Sequence, residues 1–159
     1  MQFLIFHLDK DRYALAAAGL VRVLPLMELK SLPQAPSFVA GLMNLHGQSV
    51  PVIDLCRLAC GREHAARFDT RILLIEYARR DGHVHRPLHL LGLIAEGVEG
   101  MASIDPAQLR DAGVANESAP YLGKVVTHGE RIVQVITPEH LLTDDVRAVL
   151  FPDSGDAAT

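Results

Sequence analysis

The sequence contains no tryptophan and only three tyrosines and five phenylalanines in 159 residues, which leaves little with which to stack the bases of single-stranded nucleic acid. It also lacks a cationic excess: 15 Lys and Arg stand against 19 Asp and Glu, so 15 − 19 = −4 with histidine neutral. A phosphate backbone calls for a broad electropositive face, so nucleic acid is not expected as a partner. No run approaches the roughly 20 apolar residues of a membrane span. The opening MQFLIFHLDKD has neither the basic flank nor the small-residue cleavage site of a secretory leader. Cytoplasmic residence without direct membrane insertion is the expectation. Cysteine is nearly absent too, with only Cys56 and Cys60. Two thiols on successive turns of one short predicted helix make a poor disulfide framework and favour a reducing compartment.

What is present is hydrophobic residues, 49% of the chain, enough for one domain or two small lobes sharing a core. Short runs rich in Leu, Ile, Val and Phe occupy 2–8, 12–16, 20–24, 42–45, 49–53, 71–77, 88–94, 98–104, 124–127 and 131–136. These read as about ten strands, most of them separated by Gly, Pro or Asp. The intervals leave no room for long crossover helices, so the expectation is an all-β chain of small barrels or a sandwich with a few short helices. One helix is predicted over Leu55 to Cys60, capped by Asp54 and stopped by Gly61. Another follows Thr137, with Pro138 in its first position and Thr143 restarting a turn that carries Val146, Val149 and Leu150 inward. The polar stretch 79–87 reads as an exposed hairpin tip and 107–120 as an irregular connection. The folded unit is expected over 1–151, with a frayed tail over 152–159.

Enzymatic motifs are missing at each place where one could be sought. Gly47-Gln48-Ser49-Val50-Pro51 lacks the second glycine of a nucleophile elbow and lies on a predicted strand. Gly97-Val98-Glu99-Gly100 is not followed by the lysine and hydroxyl that grip phosphate and magnesium. The carboxylate pairs Asp9 with Asp11 and Asp144 with Asp145 fall in predicted turns or helix starts, where aspartate bonds its own backbone. Cys56 and Cys60 form a single CxxxC without a partner pair and read as buried thiols. His83, His85 and His89 would share a face if strand pairing extended that far, and imidazoles so placed can ligate zinc. A small-barrel ligand- or metal-binding domain built on them is the alternative to a docking role. No catalytic residue, cofactor or metal is assigned, and the chain is read as a non-enzyme.

The segment from Gly41 to Leu55 makes sense as shape. Pro33 and Pro36 stiffen its approach, Gly47 permits a tight turn, and Pro51 removes a backbone donor from its strand. A rigid loop presenting Leu42, Met43, Leu45 and His46 offers a docking groove at small ordering cost. An ordinary hairpin with a core face accounts for the same residues equally well.

Tyr13-Ala-Leu, Val21-Arg-Val-Leu-Pro25, Leu32-Pro33, Pro36, Gly41-Leu-Met-Asn-Leu-His-Gly47 and Val50-Pro-Val-Ile-Asp-Leu55 follow, in order and spacing, the pattern of the CheW-like domain of bacterial chemotaxis coupling proteins. Downstream, 72–77, Leu91-Gly-Leu-Ile, 98–104, Tyr121-Leu-Gly-Lys-Val and Leu141-Leu142 continue the resemblance more loosely. It implies two small five-stranded SH3-like β-barrels with a short C-terminal helix. It further implies a non-catalytic adaptor between the cytoplasmic tip of a chemoreceptor and the regulatory domain of a CheA-type histidine kinase, recruited to membrane-receptor arrays. Carried over by position, the receptor-facing residues are Leu20, Val21, Arg22 and Val23, with Gly41, Asn44, His46 and Gly47 from the loop.

Two departures fall on that surface. The family usually has Glu where this chain has Arg22, and Arg where it has His46, so a negative charge becomes positive and a permanent cation becomes a titratable imidazole. Ala95-Glu96-Gly97 and Tyr121-Leu-Gly-Lys also depart. These traits resemble adaptors of non-flagellar pathways, such as Wsp-type surface sensing that controls cyclic-di-GMP synthesis.

Overall fold

The computed structural model describes residues 1–77, 89–113 and 117–152. Its strands are β1 (Gln2–Leu8), β2 (Asp11–Ala16), β3 (Leu20–Pro25), β4 (Val39–Leu45), β5 (Gln48–Asp54), β6 (Arg71–Tyr77), β7 (His89–Ser103), β8 (Leu122–His128) and β9 (Arg131–Ile136). Two short helices accompany them, α1 (Leu55–Cys60) and α2 (Asp144–Leu150). The all-β expectation holds. Among the described residues the strand count corrects from about ten to nine, because the runs at 88–94 and 98–104 belong to one strand of 15 residues. Gly97 at φ 55° and Gly100 at φ 127° bend this strand without ending it, as glycine allows at a bulge.

β7 is shared by two five-stranded lobes. Its first half pairs with β6 and β5, giving the order β3-β6-β7-β5-β4, and its second half pairs with β1 in the order β7-β1-β2-β9-β8. Alternation along the strands sends successive side chains into different cores. In β6, Ile72 and Leu74 fill the interior of one lobe beside Met43, Val50 and Val52, whereas Leu73, Ile75 and Tyr77 face the space between the lobes. In β1, Phe3 and Ile5 fill the other lobe's interior, while Leu4, Phe6 and Leu8 meet β6 and α2 residues between the lobes. Both faces are therefore dry over residues 3–6 of β1 and 72–75 of β6. That is why their sequences read as unbroken apolar runs rather than as an apolar-polar alternation.

The helices form for local reasons. Asp54 Oδ1 accepts from the backbone N–H groups of Cys56 at 3.0 Å and Arg57 at 3.3 Å, and Gly61 closes α1 in the left-handed conformation at φ 73°, as predicted. Thr143 caps α2 through Val146 N–H at 3.3 Å, and Asp144 pairs with Arg147 one turn on. The helix expected to follow Thr137 is only a 3-10 turn over Pro138–His140. Leu150 is buried and Val146 half-buried, but Val149 is 58% exposed. Its inward placement is thus corrected: a helix of seven residues buries one narrow stripe, and Leu150 takes it. Residues 79–87 and 153–159 lie outside the described residues, so the expected hairpin tip and frayed tail are not addressed beyond Pro152.

Candidate functional site

Among the described residues β3 is an edge strand, paired on one side only, with β6. Leu20 stands opposite Ile75 and Arg22 opposite Leu74, so one extra residue, Val21, is inserted as a bulge. The bulge turns three consecutive side chains outward: Val21 is 48% exposed, Val23 is 39% exposed, and Arg22 is exposed between them. Arg22 makes no ion pair or hydrogen bond among the described residues. Leu24 and Leu26 pack back onto the lobe interior. The result is an open backbone edge carrying two apolar side chains and one cation, a surface suited to pairing with another chain.

The hairpin between β4 and β5 stands at the other end of the same strand order. Leu45 pairs with Gln48, leaving His46 and Gly47 as a two-residue turn with φ 50° and 87°. Two positive φ values match the type I′ turn that right-twisted hairpins favour. Asn44 Oδ1 accepts from Gly47 N–H at 2.9 Å and secures it. Asn44, His46 and Gly47 are exposed, so the imidazole projects from a rigid tip. Gly41 is different. It is buried at φ 148°, and a Cβ there would lie 2.5 Å from the Lys30 carbonyl oxygen. Two backbone bonds, Lys30 N to Leu42 O at 2.9 Å and Leu42 N to Lys30 O at 2.8 Å, bring that segment in. Gly41 thus shapes the lobe from beneath, and the sequence-predicted residues divide into the β3 edge, the hairpin tip and one buried support.

A second polar cluster, centred on Glu96, was legible only as a charged residue inside an apolar run. Glu96 sits where β7 passes between lobes and is 6% exposed. Its Oε1 accepts from Arg62 Nη2 at 2.8 Å and from Cys56 Sγ at 2.6 Å, and its Oε2 accepts from Ala65 N–H at 2.9 Å. Burial alone would raise its pKa, but these donors outweigh burial and hold it below the ordinary carboxylate value. The Cys56 thiol is pushed up by burial and by Glu96, so it stays protonated and donates. Cys60, half-buried and not buried as expected, is pushed up to about 11 by burial and by its bond to Asp9. Arg62 also reaches Asp9 Oδ1, in the turn after β1, at 2.5 Å, and so ties both lobes to one loop. Beside it, Asp54 Oδ2 accepts from His64 N–H at 2.9 Å and meets its Nδ1 at 2.8 Å.

Two titratable groups along the neighbouring cleft, His7 and Glu99, are similarly committed. This cleft, of about 970 Å³, is lined by His7, Asp9, Arg62, Glu96 and Glu99 among others. Glu99 Oε2 meets His7 Nε2 at 2.9 Å and accepts from Arg12 Nε at 3.1 Å. Burial opposes ionisation of Glu99, yet His7 and Arg12 lower its pKa all the same, so Glu96 and Glu99 are tuned away from general-base duty. Of the candidate metal ligands, His89 stacks on Phe151 with ring centroids 4.5 Å apart, whereas His83 and His85 lie outside the described residues. Among the described residues no group of three or more potential ligands converges, and no helix is long and apolar enough to cross a membrane.

The CheW-like domain family matches residues 2–146. Among curated proteins, the chain is 23% identical to the chemotaxis protein CheW of Klebsiella aerogenes, covering 94% of this chain and 86% of that protein. It is also 23% identical to the chemotaxis protein CheW of Bacillus subtilis, over 99% and 91%. Among solved structures, the scaffolding protein TtCheW of Thermoanaerobacter tengcongensis superposes with a TM-score of 0.77 at 21% identity, covering 91% of this chain and 89% of that one.

Proposed function

The chain belongs to the CheW-like domain family, and from that premise we propose that it is a non-catalytic chemotaxis-type adaptor coupling a chemoreceptor's cytoplasmic tip to the regulatory domain of a CheA-type histidine kinase. The observation that carries the receptor contact is the β3 edge, where a bulge exposes Val21, Arg22 and Val23 together on a strand paired only with β6 among the described residues. Apolar side chains beside open backbone groups supply contact energy, and the lone charge supplies selectivity. The place of work is the cytoplasmic face of a receptor array.

Arg22 decides which receptor fits. An exposed guanidinium without a partner among the described residues favours an opposing carboxylate and repels a cation, so a receptor matched to a family member with Glu here meets the wrong charge. His46, held by its turn, adds a donor but lacks the permanent charge and fixed fork of arginine. The cognate receptor therefore carries an acid facing Arg22. The test is binding of the purified protein to an ordinary receptor-tip fragment and, separately, to the kinase regulatory domain. Weak receptor binding that Arg22→Glu with His46→Arg strengthens, with kinase binding unchanged, is the expected result. Unimpaired native binding that the double substitution leaves unimproved refutes the charge reading, and failure to bind the kinase domain refutes the adaptor reading.

A further inference from the structure

The hairpin of β4 and β5 carries no permanent charge. From Val39 to Ile53 there is no Asp, Glu, Lys or Arg, so His46 is its one residue able to change charge near neutral pH. The backbone holds that imidazole outward. His46 sits at φ 50°, the bond from Gly47 N–H to Asn44 Oδ1 fixes the turn at 2.9 Å, and His46 itself makes no ion pair or hydrogen bond among the described residues.

The tip lies at the same end of its lobe as Arg22. After β3 ends at Pro25, a short segment brings Lys30 into antiparallel pairing with Leu42. The two end strands of the sheet, β3 and β4, therefore flank one opening. Because that pairing is antiparallel, going back from Lys30 to Arg22 leads the same way as going on from Leu42 to His46. The other charges packed against the hairpin offset one another: the segment crossing β4 carries Glu28 and Lys30. On the far side of β5, the stretch of β7 from Leu90 to Ala95 is uncharged. Arg22 thus gives the opening one net positive charge when His46 is neutral, and protonation of His46 adds a second.

We propose that His46 makes receptor coupling respond to pH, adding a second cation to the receptor-facing surface when protonated and withdrawing it when neutral. The inference rests on the adaptor reading and deepens it by naming what regulates the contact. Imidazole suits the task, since its ordinary change of charge falls between about pH 5 and 8, where carboxylates and guanidinium groups keep theirs. The sign follows from linkage. A receptor carboxylate at the tip favours the protonated ring, so affinity is greatest at the acid end of that window and falls as pH rises.

Isothermal titration of the full chain tests this with an ordinary receptor-tip fragment and, in parallel, the kinase regulatory domain. Arg22→Glu is present throughout so that the β3 edge matches the fragment, which is suited to family members with a cation at position 46. Between about pH 8 and about pH 5.5, binding to the fragment tightens roughly threefold to tenfold. His46→Asn, which creates the Asn-Gly pair that type I′ turns favour, binds weakly at both pH values, whereas His46→Arg binds tightly at both. Equal affinity at the two pH values with His46 present, or a pH response that survives His46→Asn, overturns the inference and leaves the adaptor reading standing. A fragment that binds none of the three chains while the kinase domain binds overturns the inference as well. Failure to bind the kinase domain overturns the adaptor reading itself.

Discussion

Replacing Glu96 by alanine should loosen the junction between the lobes, and the structure sets the size of the effect. Its buried carboxylate accepts three hydrogen bonds. The bond from Ala65 N–H is charge-assisted and buried, and such a bond contributes about 1.5–3 kcal/mol. Arg62 is 41% exposed, so solvent screens its share to under about 1 kcal/mol. The weak thiol bond adds a few tenths at most, and the expected loss is about 2–4 kcal/mol. In a chain of this size a kcal/mol shifts the melting temperature by about 2–4 °C, which places the melt of Glu96→Ala about 5–15 °C below the native one near neutral pH. Glu96→Gln keeps one acceptor oxygen and should lie between. The native state holds Glu96 below its ordinary value of 4.5, so as pH falls the unfolded chain takes up the proton first. The stabilisation is complete above about pH 4.5 and is lost as pH drops through the native value, so the two melts converge in acid. A melt within about 2 °C of native at pH 7, or a gap that persists unchanged in acid, refutes the reasoning.

Gly41→Ala places a Cβ 2.5 Å from the Lys30 carbonyl oxygen at a φ of 148°, and the main chain at Lys30 is pinned by two bonds to Leu42. A loss of about 2–4 kcal/mol in urea denaturation is expected, and an unchanged midpoint shows that the Leu29–Lys30 segment yields freely. Asp54→Ala removes the acceptor for the N–H groups of Cys56, Arg57 and His64. About 2–3 kcal/mol of stability should go with it, and amide exchange at these three residues should quicken more than in the distant strand β9.

Much of this architecture was legible because its signals are local. The cap at Asp54 and the stop at Gly61 depend on residues within one helical turn, and α1 begins and ends where they put it. The bounds of β1 and β6 follow from apolar runs that end at turn residues. The continuity of β7 was hidden, because Gly97 and Gly100 look the same in sequence whether they break a strand or bend it. At the candidate site, Gly47 announced a turn, but the positive φ of His46 depends on a loop only two residues long. Gly41 looked like part of an exposed groove, whereas its contact is with Lys30, 11 residues away. The lock between Arg62 and Glu96 spans 34 residues and has no local signature beyond an acid in an apolar strand.

The loop from 61 to 70 joins these features. Its inner side carries Arg62, His64 and Ala65, which bind Asp9, Glu96 and Asp54, and its outer side presents Phe68. A loop of ten residues has little core of its own, so its order comes from those inward polar bonds, each formed with a buried carboxylate or with the turn after β1. The same bonds that hold the lobes together thereby fix the exposed ring. The loop is thus a clasp between the lobes, and loosening it would free the turn that carries Phe68 as well.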